Sequence, residues 1–215
     1  MQIKAIIFDL DGLLVDSQHL QYEATRRAFS EIGHIVTKED WHGCVHGDVD
    51  YLDWVELHQL PTTVEKIHTR KRGIYKELVK SELELKAGAE KLVHLLYDKF
   101  ELAVASHSNI NSIESCINKF DLASKFKHLI SDQAVGKRKP HPDVFLHVAK
   151  ILNVAPEACL VFEDSIAGLQ AAKAAGMKCI VCPDNSFPVS HELYQKADKI
   201  VNQLDEVDLE TIENL

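Results

Sequence analysis

Residues able to do chemistry recur where short apolar runs stop. The run IKAIIF ends on Asp9-Leu10-Asp11-Gly12, ELAVAS ends on Ser106 and His107, CLVF ends on Glu163 and Asp164, and Lys137 and Lys139 stand in GKRKPHPD. Carboxylates gathered in a partly buried cleft repel one another and lose hydration, so they call for a positive charge among them. A hard divalent cation meets that need. Mg²⁺ takes oxygen ligands, uses one or two protein carboxylates and keeps positions open for water and phosphate oxygens. No His or Cys lies at ligand spacing in these stretches, which argues against zinc. A lysine and a hydroxyl beside the cation define a seat for a substrate oxyanion, most naturally a phosphoryl group.

Taken singly, each residue has a plainer reading. Asp9 and Asp11 can make a turn at a strand end. Ser106 can cap the helix that follows it. Lys139 can be solvated, as most lysines are, and Glu163-Asp164-Ser165 can be a helix start with acids at the positive end of the dipole. What favours chemistry is their joint placement at separate strand ends.

The elements that must position them follow from periodicity. IKAIIF is a short β-branched run of the kind found in a buried parallel strand. From about Ser17 to Leu83 the pattern turns helical, in QYEATRRAFSEIG with Gly33 able to end it, and again in DYLDWVELHQL and KRGIYKELVK. After Gly88, AEKLVHLLYDKF, NSIESCINKF, PDVFLHVAKILN and SIAGLQAAKAAG read as helices alternating with the strands ELAVAS, HLIS, CLVF and KCIVC. DKIVNQLDEVDLETIENL adds a last strand and helix. Such alternation implies a parallel sheet covered by helices on both faces. Open parallel sheets bind ligands beyond the carboxyl ends of their strands. The expected fold is therefore α/β, with a core of residues 1–16 and 84–215 and an inserted all-helical domain of residues 17–83.

Composition narrows the partners. Of 215 residues 46% are hydrophobic and 27% charged, the balance of a globular chain. Lys and Arg number 24 against 33 Asp and Glu, a net charge of −9 that argues against non-specific nucleic-acid binding. No apolar run reaches a membrane span, and MQIKAIIFDLDG lacks a signal-peptide cleavage region, so a cytoplasmic chain is expected, a monomer or weak dimer. The five cysteines are odd in number and scattered, which suits buried thiols; Cys179 and Cys182 in KCIVC read as core.

FDLDG after the first strand, a Ser after the second core strand, Lys139 in KPHPD and the later FEDSIAG resemble the four motifs of the haloacid dehalogenase superfamily of phosphotransferases. The inserted helices resemble the cap of its β-phosphoglucomutase-like subfamily, on a Rossmann-like core. The resemblance implies that Asp9 is the nucleophile, forming an aspartyl-phosphate, and Asp11 the general acid and base. It further implies that Ser106 and the backbone N–H of His107 hold the transferring phosphoryl oxygens, with Lys139 neutralising charge. Lys137 is the competing lysine. Mg²⁺ would be held by Asp9, the Asp11 carbonyl and Asp164, with Glu163 either a ligand or the support of a bound water.

In the cap, Gln21 on the first helix and His42 and His46 in a loop HGCVHGD are candidates for reading the leaving group. β-Phosphoglucomutase has a histidine in place of Gln21 and an arginine in place of His46, and losing that arginine weakens a second phosphate clamp. An Mg²⁺-dependent phosphatase acting on a small phosphorylated metabolite is thus favoured. A sugar phosphomutase is the alternative, and a signalling module phosphorylated on Asp without turnover a remoter one.

Overall fold

The structure, a computed structural model, describes residues 2–46, 50–184 and 191–215. Its contacts divide the chain into two compact units, Met1–Asp16 with Glu84–Leu215, and Ser17–Leu83.

The first unit is built on six strands: β1 (Ala5–Phe8), β2 (Glu101–Ser106), β3 (His128–Ser131), β4 (Cys159–Glu163), β5 (Lys178–Val181) and β6 (Lys199–Ile200). They form one sheet in the order β3-β2-β1-β4-β5-β6, and every pairing is parallel. Around it run α5 (Ala89–Leu96), α6 (Ile110–Lys119), α7 (Asp143–Ile151), α8 (Ile166–Ala174) and the short α9 (Leu209–Glu213). β1 and β4 are buried on both faces, which is why they read as unbroken apolar runs. Alternate residues face opposite ways. Ala5 and Ile7 pack with Val161, with Phe145 and Val148 of α7 and with Leu169 of α8. Phe8 stacks on Phe162 with ring centroids 5.0 Å apart. Burying such side chains supplies roughly 1.5–3 kcal/mol each. Cys179 belongs to this core and Cys182 is buried beside it.

In this strand order the connections from β1 go to one side through β2 and β3 and to the other through β4 and β5. The reversal lies between β1 and β4, where doubly wound sheets open a crevice. Asp9 follows β1 and donates its N–H to Phe162 O at 2.9 Å, so the ends of β1 and β4 lie side by side.

The second unit is helical: α1 (Gln18–Ser30), α2 (Lys38–His46), α3 (Trp54–Leu57) and α4 (Val64–Glu82). Gly33, at φ 78°, turns the chain after α1, and the Thr63 hydroxyl caps α4 by accepting from Lys66 N. Phe29, Val36, Trp54, Val55 and Ile67 form its core. One expectation is corrected. HGCVHGD does not begin as a loop, because α2 runs through His46, with Thr37 and Asp40 hydrogen bonded across its first turn. DYLDWVELHQL contains only the single turn of α3, in a chain otherwise folded into turns.

The stretches leading to and from the helical unit are paired. Val15 bridges Leu85 in antiparallel fashion, Asp16 N donates to Glu84 O at 2.9 Å and Lys86 N to Leu14 O at 2.9 Å. Among the described residues no helix is long and apolar enough to cross a membrane.

Candidate active site

Asp9, Glu163, Asp164 and Lys139 meet at the ends of β1 and β4, and all four are buried. Lys139 Nζ donates to Asp9 Oδ1 at 2.5 Å, to Glu163 Oε1 at 2.6 Å and to the Ala105 carbonyl at 3.0 Å, while the Phe145 ring lies 5.0 Å away. An ammonium has three protons, and these three acceptors use them all. Lys139 is thus not solvated, whereas Lys137 is exposed and its N–H bonds Asp143.

Glu163 is equally committed. Its Oε2 accepts from Asp164 N at 3.1 Å, Ser165 N at 3.1 Å and Ser165 Oγ at 2.9 Å. The same Ser165 hydroxyl accepts from Gly168 N at 3.0 Å and so caps α8. A helix start and a site residue are therefore one construction. Gly168 has no side chain for a local reason: a Cβ there would collide with the Glu163 carboxylate. Gly12 plays the matching part opposite, with φ 91° and a would-be Cβ driven into the Asp164 carboxylate.

Electrostatics separate the carboxyls. Burial pushes Asp9 up to about 8, with the Glu163 charge adding to it and Lys139 opposing. Asp164 is raised well above the usual range by burial and then by the charges of Glu163, Asp9 and Asp184. In Glu163 burial acts upward too, but the Lys139 charge and the Ser165 donors outweigh it and hold the carboxyl low. Burial alone would lower Lys139; Asp9 and Glu163 overcome it and raise the ammonium.

Ligand oxygens of Asp9, Glu163 and Asp164 lie within 4.8 Å of one another. Fully ionised, the three carboxylates and the ammonium carry a net charge of −2. An all-oxygen donor set short of two positive charges fits a hard divalent cation. Asp184 does not add to the deficit, because Lys86 lies 3.6 Å from its Oδ2.

Asp11 stands to one side. Ser108 Oγ donates to its Oδ2 at 2.7 Å and Ser106 Oγ to the same oxygen at 3.3 Å, while Ser108 N donates to Ser106 Oγ at 2.9 Å. Ser106 is not the cap of α6; the Asn109 side chain is, accepting from Ser112 N. His107 turns its imidazole toward Asp132.

In the helical unit, Gln21 lies on α1 and its Oε1 accepts from Lys71 Nζ at 2.5 Å. That ammonium sits 4.9 Å from the Tyr51 ring centroid and 5.9 Å from those of Trp41 and Tyr75. His42 and His46 belong to α2, but their side chains lie outside the described residues.

The chain matches the haloacid dehalogenase-like hydrolase family over residues 6–182. It is a member of that family. Hydrolases of this family related to it include the phosphorylated carbohydrates phosphatase of Thermotoga maritima, 30% identical over 95% of this chain and 100% of the relative. Hexitol phosphatase B of Escherichia coli is 32% identical over 85% of this chain and 84% of its own length. Among solved structures, CbbY from Rhodobacter sphaeroides in complex with phosphate superposes with a TM-score of 0.86 at 26% identity, covering 99% of this chain and 100% of that one. The haloacid dehalogenase-like hydrolase fold thus spans both units.

Several site residues escaped the motif reading. Ser108 is two places past Ser106, on the same turn. Gly12 and Gly168 are legible only once a carboxylate is known to press on them. Asp132 had a signal, since it is the first residue beyond the strand HLIS, and collecting the residue past every strand end finds it.

Proposed function

We propose that this chain is an Mg²⁺-dependent phosphatase that hydrolyses a small phosphorylated metabolite, a sugar phosphate or similar phosphomonoester. The observation that carries the reading is the buried Asp9 carboxyl, held by Lys139 at 2.5 Å in a cluster that, fully ionised, is two positive charges short of neutrality. Phosphatase relatives and the phosphate-bound CbbY support it.

Asp9 and Asp164 would hold the cation with the Asp11 carbonyl; Glu163, most of whose lone pairs are already engaged, serves chiefly to fix Lys139. Bound there, Mg²⁺ would supply positive charge to the phosphoryl oxygens, easing the approach of an anionic nucleophile. Asp9 attacks phosphorus in line, the ester P–O bond breaks, and Asp11 gives its proton to the departing alkoxide. A water then attacks the aspartyl-phosphate and Asp11 takes its proton. The Asp9–phosphorus bond breaks and orthophosphate leaves. Ser106, the His107 N–H and Lys139 hold the phosphoryl oxygens through both displacements.

A panel of sugar phosphates, glycerol phosphates and nucleotides, with and without Mg²⁺, tests the reading. Phosphate release from at least one class is expected, lost by roughly 10³-fold or more in Asp9→Asn. No release from any member overturns it. Conversion of a hexose 1-phosphate to the 6-phosphate with little free phosphate identifies a mutase instead.

A further inference from the structure

One buried charge has no part in the mechanism above. Asp132 is fully buried just beyond β3, and its Oδ1 has no hydrogen-bond partner among the described residues. Two nitrogen-bearing side chains face its Oδ2: the imidazole Nδ1 of His107 contacts it, and Arg138 Nε lies at 3.8 Å. They come from different stretches. His107 follows Ser106 at the end of β2, and Arg138 directly precedes Lys139. Sheet register accounts for the first contact, because Ser106 is paired with Ser131, which sets residues 107 and 132 side by side one step further on. A second tie runs beside it: Gln133 Nε2 donates to the His107 carbonyl at 3.1 Å, and Gln133 N to Ser131 Oγ at 3.3 Å.

A carboxylate taken out of water is costly unless positive or proton-donating groups stay close to it. Asp132 therefore draws both stretches toward itself. Through His107 it reaches the turn in which Ser108 N bonds Ser106 Oγ and Ser108 Oγ bonds Asp11. Through Arg138 it reaches the segment that delivers Lys139 to Asp9 and Glu163.

We propose that Asp132 is a positioning residue that, acting through His107 and Arg138, sets how the two halves of the phosphate seat face each other. Ser106 and the His107 N–H form one half and Lys139 the other. The inference rests on the phosphatase reading for what the seat is used for. Asp132 itself touches neither substrate nor metal. Displacements of an ångström in such a seat cost up to about 10²-fold in rate.

The test measures orthophosphate binding to the full chain in Mg²⁺ by calorimetry, beside sugar-phosphate turnover and thermal melting. Asp132→Asn, which keeps the shape and removes the charge, is expected to weaken orthophosphate binding about tenfold or more and to lower kcat/KM in parallel. His107→Ala and Arg138→Gln alter side chains that are partly or largely exposed, so they carry the test if the Asn variant does not fold. Each is expected to weaken binding several-fold, and Asp132→Asn with His107→Ala to be no weaker than Asp132→Asn alone. Variants that melt lower yet bind orthophosphate like the wild type overturn the inference and leave the phosphatase reading intact. Weakened binding with a wild type that turns over no ester overturns the phosphatase reading and supports the positioning role. A wild type that binds no orthophosphate overturns both.

Discussion

At the residue scale the site is governed by one ammonium shared between two buried carboxylates. Replacing Lys139 by Met strips the buried Glu163 carboxylate of its counter-charge, and a loss of about 3–5 kcal/mol in urea unfolding under chelator is expected. The raised carboxyls also fix a pH dependence. In the metal-free chain Asp9, raised from 3.8 to about 8, and Asp164, raised as well, keep protons that the unfolded chain releases. The stability they contribute is full below the unfolded value and is lost as the pH climbs through the folded one. A divalent cation takes the place of those protons. The rise in melting temperature on adding Mg²⁺ should accordingly grow between about pH 5 and pH 8, and a flat response over that window would count against a cation at this cluster. That Asp9, Lys139 and Asp164 come together was legible because strand ends and motif spacing single them out. The part played by Glu163 was not, since whether its carboxylate meets a metal or a lysine depends on where a residue 24 positions away comes to lie.

At the scale of elements, strands announce themselves by apolar runs that stop abruptly. ELAVAS and HLIS coincide with β2 and β3 residue for residue. Helix ends are set by caps that compete with one another, which is why Ser106 read as a possible cap while Asn109 fills that place. α2 was hidden by its composition, as Gly43 and three histidine or cysteine residues resemble a loop, whereas Asp40 and Thr37 close its first turn. The start of α8 joins a cap to the site most tightly, and it yields a direct prediction. Gly168→Ala puts a methyl into the Glu163 carboxylate, and a destabilisation of about 1–3 kcal/mol with slower turnover is expected. Urea unfolding and phosphate release measured on the same preparation check it; an Ala variant equal to the wild type in both would show that Glu163 can move aside freely.

At the scale of the molecule, alternation of strand and helix made the parallel sheet legible, yet not the order β3-β2-β1-β4-β5-β6, which only right-handed crossovers and packing decide. That order puts Asp9 and Asp164 at the reversal, where the proposed cation would give a chain of net charge −9 a local seat for an anion. The paired stretches at Leu14–Asp16 and Glu84–Lys86 bear on what the helical unit costs its host. A short linker from residue 16 to residue 84 should leave a sheet unit that unfolds cooperatively and still shifts its melting temperature with Mg²⁺, while discrimination among sugar phosphates flattens. A truncated chain without a cooperative melt would contradict this. Because the two stretches that flank it are hydrogen bonded to each other, the insertion adds little chain-closure entropy to the domain that carries it. It behaves thermodynamically as an exchangeable cassette, so a different helical unit spliced between the same two residues should redirect substrate choice without rebuilding the residues at the strand ends.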